Sequence, residues 1–194
     1  MRRTVILLLA TTMAALVLAS GVALAVTKTG GPGDDVLRGT PERDQLDGRG
    51  GSDTLLGFGA RDCLSGGRGR DTLEGGRGPD TVWGGEGTCL SPTEQEKPGA
   101  SDTLKGGPGN DVLDGFAGAD THYGGRGDDF ISDGENRRGA TDILDGGPGD
   151  DFMWPRNEPA GSDIVSCEGG RDRVFADRAD IISDDCERVF FRNP

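Results

Sequence analysis

Gly30 to Trp83 reads GGPGDDVLR GTPERDQLD GRGGSDTLL GFGARDCLS GGRGRDTLE GGRGPDTVW, six contiguous rows of nine residues without a gap. The sixth residue of every row is an aspartate (Asp35, Asp44, Asp53, Asp62, Asp71 and Asp80), and the eighth is Leu or Val. Outward from this block the period continues. A seventh row opens at Gly84, is interrupted by Thr88 to Ala100, and closes as Ser101-Asp102-Thr103-Leu104-Lys105. Three more rows carry Asp111, Asp120 and Asp129; the eleventh holds a four-residue insertion, Arg137 to Ala140, before Asp142; the twelfth carries Asp151. The glycines then fade, yet Asp163-Ile164-Val165 and Asp172-Arg173-Val174 keep the closing triplet. All fourteen rows have Asp at position six, and thirteen have Leu, Ile, Val or Met at position eight, His122 being the exception. A fixed period of this length marks a stack of repeating units rather than one globular core.

The residue types point to a hard cation. Glycine adopts positive φ without steric cost and lets carbonyl oxygens crowd together, so G-G-x-G turns can aim several carbonyls at one spot beside the position-six carboxylate. Calcium takes six to eight oxygen ligands in flexible geometry, whereas magnesium holds its waters in a tight octahedron. Zinc is disfavoured by one His and four scattered Cys. Acidic residues number 34 against 21 basic, a net charge of −13, or −15 once Arg2 and Arg3 of the leader are removed. Such a chain repels nucleic acid and anionic lipid and attracts cations. Thirty-six glycines with only seven Phe, two Trp and one Tyr exclude an ordinary packed core.

The repeat G-G-x-G-x-D-x-U-x, with U apolar, resembles the haemolysin-type RTX nonapeptide, and the resemblance covers about Gly30 to Phe175. It implies an all-β fold, a parallel β-roll (a two-sheet β-solenoid) of about fourteen rows. The turns of the family bind calcium, and the x-U-x triplets form its strands. By strand alternation, position eight points inward and its two neighbours outward. One aliphatic residue per nine is too little burial to fix so glycine-rich a backbone, so the chain is expected to fold only with calcium. Turns of a two-sheet roll alternate edges, which places each ion between rows n and n+2. The resulting metal candidates are Asp80, Asp111, Asp129 and Asp151 on the even edge, and Asp35, Asp53, Asp71 and Asp102 on the odd edge, for about four to six ions. The interruptions, in rows seven, eleven and thirteen, all fall on the odd edge, so the even edge is expected to carry the intact ladder. Asp44, Asp62 and Asp120, in rows short of glycine, are weaker candidates.

The termini complete the expected organisation. Arg2 and Arg3, an apolar run from Val5 to Leu18 and Ala23-Leu24-Ala25 read as a cleaved signal peptide over residues 1–25, with an uncleaved anchor as the competing reading. Export places the protein outside the cell, where calcium is about millimolar. Residues 26–175 form the roll, with the insertion at 88–100, and 176–194 read as a C-terminal cap of the kind solenoids need. Four cysteines in an exported chain suggest two disulfides; of three connectivities, Cys63–Cys89 and Cys167–Cys186 is the nearest-neighbour choice. Arg126-Gly127-Asp128 is a piece of the repeat, and His122 reads as a tolerated substitution. Phe130, Phe152, Trp154 and Tyr123 occupy outward positions, either as a binding patch or covered by the insertions or cap. No H-E-x-x-H or G-x-S-x-G occurs and the repeats leave no room for a catalytic domain, which favours a non-enzymatic extracellular structural or adhesive module. The alternative is an accessory or remnant of a secreted RTX hydrolase or toxin.

Overall fold

Each nonapeptide becomes one turn and one short strand, and successive strands fall alternately on two sheets. The computed structural model of the chain describes residues 24–85, 101–134, 140–155 and 161–191. The insertion at 88–100, nearly all of the 137–140 insertion and most of the expected signal lie outside the described residues. In chain order the strands begin with β1 (Thr27–Thr29), β2 (Val36–Arg38), β3 (Gln45–Asp47), β4 (Thr54–Gly59), β5 (Cys63–Ser65) and β6 (Thr72–Arg77). The middle of the roll holds β7 (Thr81–Trp83), β8 (Thr103–Pro108), β9 (Val112–Asp114), β10 (Thr121–Arg126), β11 (Phe130–Ser132) and β12 (Ile143–Asp145). The last five are β13 (Phe152–Trp154), β14 (Ile164–Ser166), β15 (Arg173–Ala176), β16 (Ile181–Ile182) and β17 (Arg188–Phe191).

Odd-numbered strands form a nine-stranded sheet and even-numbered strands an eight-stranded one, each in rank order. Every pairing is parallel and joins rows n and n+2: Leu55 lies beside Leu73, Leu73 beside Leu104, Leu113 beside Ile131. The fold is therefore the two-sheet parallel β-solenoid that the period implies, and the described residues contain no helix.

Position eight points inward in every row. Leu46, Leu55, Leu64, Leu73, Val82, Leu104, Leu113, Ile131, Leu144, Met153, Val165 and Val174 are buried between the sheets, and His122 takes the same place in row nine. The core is thus one side chain wide per row, as the alternation of a strand dictates. At the C-terminal end the ladder continues past row fourteen. Ile181–Ile182 pairs with β14 and Arg188–Phe191 with β15, so the segment after row fourteen adds two further rows. Cys167 and Cys186 are disulfide-bonded with Cα atoms 5.2 Å apart, which ties row fourteen to the last strand. The proposed partner of Cys63, Cys89, lies outside the described residues.

Candidate metal centre

The position-six aspartates build the two edges of the roll. Each donates its backbone N–H to the Oδ1 of the aspartate two rows on. On the even edge the chain of bonds runs Asp44 to Asp62 (2.8 Å), Asp80 (2.7 Å), Asp111 (2.6 Å), Asp129 (2.8 Å), Asp151 (2.8 Å) and Asp172 (2.8 Å). On the odd edge it runs Asp35 to Asp53 (2.8 Å), Asp71 (2.8 Å), Asp102 (2.7 Å), Asp120 (2.8 Å), Asp142 (2.7 Å), Asp163 (2.9 Å) and Asp180 (3.1 Å). The interruptions on the odd edge made the even edge the expected place for an intact ladder. The aspartate ladder of the odd edge is instead continuous, because the insertions leave the row register on either side unchanged. Asp44, Asp62 and Asp120 occupy the same rungs as the candidates with full glycine sets.

Only one oxygen of each carboxylate is used by the ladder. The Oδ2 atoms of Asp53, Asp62, Asp71, Asp80, Asp111, Asp120, Asp129, Asp151 and Asp172 are buried and accept no hydrogen bond. A buried carboxylate oxygen without a partner is costly, and nine in two regular columns are a repeated demand for a cation. The space beside them is lined by further oxygen. A Cβ on Gly106 would stand 2.3 Å from Asp111 Oδ2 and 2.6 Å from the Gly124 carbonyl oxygen; on Gly124 it would stand 2.5 Å from Asp129 Oδ2 and 2.5 Å from the Gly146 oxygen. The carbonyls of positions two and four aim the other way along the edge, so that Cβ atoms on Gly125 and Gly127 would meet the Gly107 and Gly109 oxygens at 2.2 and 1.7 Å. Carboxylate and carbonyl oxygens thus face the same inter-row gaps, with the His122 ring nitrogen beside Asp120 Oδ2 in row nine. This donor set fits calcium.

The turn conformation persists where glycine is missing. Phe58 (φ 83°) and Ala60 (φ 69°) in row four, Arg49 (φ 73°) in row three and Phe116 (φ 66°) in row nine all lie in the left-handed region. Each such residue carries a strain of roughly 1–3 kcal/mol, tolerated where the surrounding structure dictates the conformation. The regular stack on both sides supplies that constraint.

Burial leaves the carboxylates poorly disposed to ionise alone. Desolvation raises Asp62, Asp71, Asp80, Asp102 and Asp151 to about 7, Asp111 to about 6, and Asp120 and Asp129 to about 8, against the opposing backbone hydrogen bond that each accepts. Neighbouring aspartates add to the rise at most of these, for example Asp111 and Asp151 around Asp129. The same burial lowers His122 to about 4.

Asp142, Asp163 and Asp172, read in the sequence as position-six aspartates but not placed among the metal candidates, stand on the ladder, and Asp180 and Glu187, which the sequence reading missed, extend it, accepting the N–H groups of Asp163 and Asp172 at 3.1 and 3.0 Å. The missed signal is the acid–aliphatic spacing itself, retained in Asp180-Ile181-Ile182 and Glu187-Arg188-Val189 after the glycines have gone. Asp133 stands where other rows have their first glycine, and its carboxylate lies with those of Asp142 and Asp163 in a buried group whose ligand oxygens are all within 4.8 Å of one another. Cys167, Cys186 and Asp185 also cluster, but the two sulfurs are joined in the disulfide.

The chain matches the family described as RTX calcium-binding nonapeptide repeat in four copies, over residues 29–62, 65–88, 99–131 and 139–154, more than half of its length. No curated protein matches the chain significantly.

Proposed function

From the premise that this chain belongs to the RTX calcium-binding nonapeptide-repeat family, and therefore binds calcium, we propose that calcium held between rows n and n+2 completes the roll as a non-enzymatic extracellular structural or adhesive module. Asp35, Asp53, Asp71, Asp80, Asp102, Asp111, Asp129 and Asp151 supply the charged ligands, and the carbonyls of turn positions one, two and four supply neutral ones. The observation that carries this reading is the column of buried Oδ2 atoms without hydrogen-bond partners. A divalent cation offsets both their desolvation and their mutual repulsion. Folding and ion binding then become one equilibrium, because the site does not exist in the unfolded chain.

About four to six ions per chain are expected, spread over both edges. The apolar leader, Ala23-Leu24-Ala25 and the Cys167–Cys186 disulfide support secretion into an oxidising, calcium-rich space. Equilibrium dialysis of the leader-free chain against millimolar calcium tests the proposal. Four to six bound calcium ions, undiminished by equimolar magnesium, support it; fewer than two overturn it.

A further inference from the structure

The outer face of the odd-strand sheet departs from the acidic character of the rest of the molecule near its C-terminal end. Arg173 and Arg188 are direct register partners on β15 and β17, both exposed. Neighbouring parallel strands lie about 4.8 Å apart, so two like charges face the same solvent, an arrangement that is unfavourable unless something neutralises it. Nothing among the described residues does: the one ion pair there is between Arg49 and Asp47, at the other end of the roll. Two aspartates also border these arginines without an ion pair to them, the Asp150 Oδ1 accepting the Arg171 backbone N–H at 3.0 Å and the Asp151 Oδ1 accepting that of Asp129 at 2.8 Å. In a chain with 13 surplus negative charges, three arginines left without carboxylate partners are an unusual local choice.

These arginines surround a cavity. Arg171, Arg173 and Arg188 line a space of about 270 Å³ together with Asp150, Asp151 and Phe152. Phe152 is the register neighbour of Arg173 and belongs to a continuous aromatic ladder. Its ring stacks on Phe130 and Phe175 at 5.2 Å each, and Phe175 stacks on Phe190 at 4.9 Å, with Trp154 tilted against Phe175 at 6.5 Å. The ring faces are spent on one another, so the ladder offers a fixed apolar wall rather than platforms for stacking. Guanidinium groups match tetrahedral oxyanions with paired N–H donors. A cavity with three arginines against two aspartates and one aromatic wall thus selects an anionic head on a greasy body, held where the arginines lie.

We propose that this cavity, which adjoins the even calcium edge at Asp151, is a binding site for a phosphate- or sulfate-type oxyanion carried on an apolar or aromatic group. Arg173 and Arg188 grip the anionic head, Arg171 adds charge at the rim, and Phe152 seats the body. The site rests on the folded roll and adjoins the calcium ligand Asp151, so the ester titrations are made at saturating calcium.

Phenyl phosphate and methyl phosphate, which share a head and differ in body, are titrated calorimetrically into the full chain in saturating calcium. The far-UV circular dichroism spectrum is recorded first, so that a failure to respond to calcium counts against the calcium reading alone, while the ester titration is scored in either case. The expected result is phenyl phosphate binding at least tenfold tighter than methyl phosphate. Arg173→Gln and Arg188→Gln should each weaken it at least tenfold with an unchanged spectrum, and Arg77→Gln, an exposed arginine on the other sheet, should leave it unaltered. No binding of phenyl phosphate, equal binding of the two esters, or equal binding by the arginine variants overturns the proposal.

Discussion

Two alanine substitutions at the same position of the repeat should behave oppositely. Gly127 and Gly33 are both fourth residues of their rows. At Gly127 the backbone has φ +127°, and a Cβ would stand 1.7 Å from the Gly109 carbonyl oxygen. The conformation alone costs an L-residue roughly 1–3 kcal/mol. The overlap with backbone cannot be relieved by a rotamer, so the turn must withdraw from the row behind it. That movement endangers the bonds from the Gly127 N–H to Pro148 O (3.0 Å) and from the Gly109 N–H to Arg126 O (2.8 Å), each worth about 0.5–1.5 kcal/mol. Gly127→Ala should therefore destabilise the calcium-loaded roll by about 2–6 kcal/mol. At Gly33 a Cβ would meet nothing within 4 Å, and Gly33→Ala should stay within about 0.5 kcal/mol of wild type. Urea unfolding in excess calcium, followed by circular dichroism, measures both. Equal stabilities for the two variants would refute the reasoning that inter-row packing, rather than composition, demands glycine here.

Other perturbations follow from the same geometry. Asp129→Asn keeps an Oδ1 acceptor for the Asp111 N–H but removes the charge; bound calcium should fall by one or two ions by equilibrium dialysis, while Asp184→Asn, on the exposed final turn, should change nothing. In chelator, the native pKa values of Asp62, Asp71, Asp80, Asp111, Asp120, Asp129 and Asp151 stand at about 6 to 8, above the ordinary value of 3.8. The native chain then holds protons that the unfolded chain has released, so their stabilising contribution is full below about pH 4 and is lost as pH rises through 6 to 8. His122 acts in the opposite sense, its contribution being lost as pH falls through about 4. A pH titration in chelator should accordingly show β signal near pH 5 that disappears by pH 8. The ring of the buried His122 has no partner in good hydrogen-bond geometry, only a weak approach to the Ile143 backbone, so His122→Leu should raise stability by about 1–3 kcal/mol in urea unfolding. Replacing Cys167 and Cys186 together by Ser frees a constraint spanning 19 residues of sequence and should lower stability by about 3 kcal/mol in the same assay.

The fold was legible because its period is carried by two independent columns. Aspartate at six and an aliphatic residue at eight recur in nearly every row, and one of them is enough to keep register where the other lapses, as His122 shows beside Asp120. The ends were harder to read. β1, β16 and β17 lie in segments without the glycine signature, since a terminal turn meets a neighbour on one side only and no longer needs every Cβ removed. The odd-edge ladder was undervalued for a related reason: insertions are conspicuous in sequence, but a loop that leaves and re-enters the same turn does not displace the strand after it. The aromatic ladder was half visible. Phe130, Phe152 and Trp154 share a face, whereas Tyr123 stands on β10 in the other sheet. Phe175 and Phe190 join the stack from position nine of their rows, a diagonal contact that a nine-residue count does not reveal.

On the proposal above, buried, unpartnered carboxylate oxygens make the folded roll depend on calcium. The most direct test is the far-UV circular dichroism of the chain from Val26 to Pro194, stripped with chelator at pH 8 and titrated with calcium, with magnesium in parallel. The spectrum should start disordered, convert cooperatively to β signal with calcium and not respond to magnesium. A full β spectrum in chelator at that pH, unchanged by calcium, would contradict the proposal.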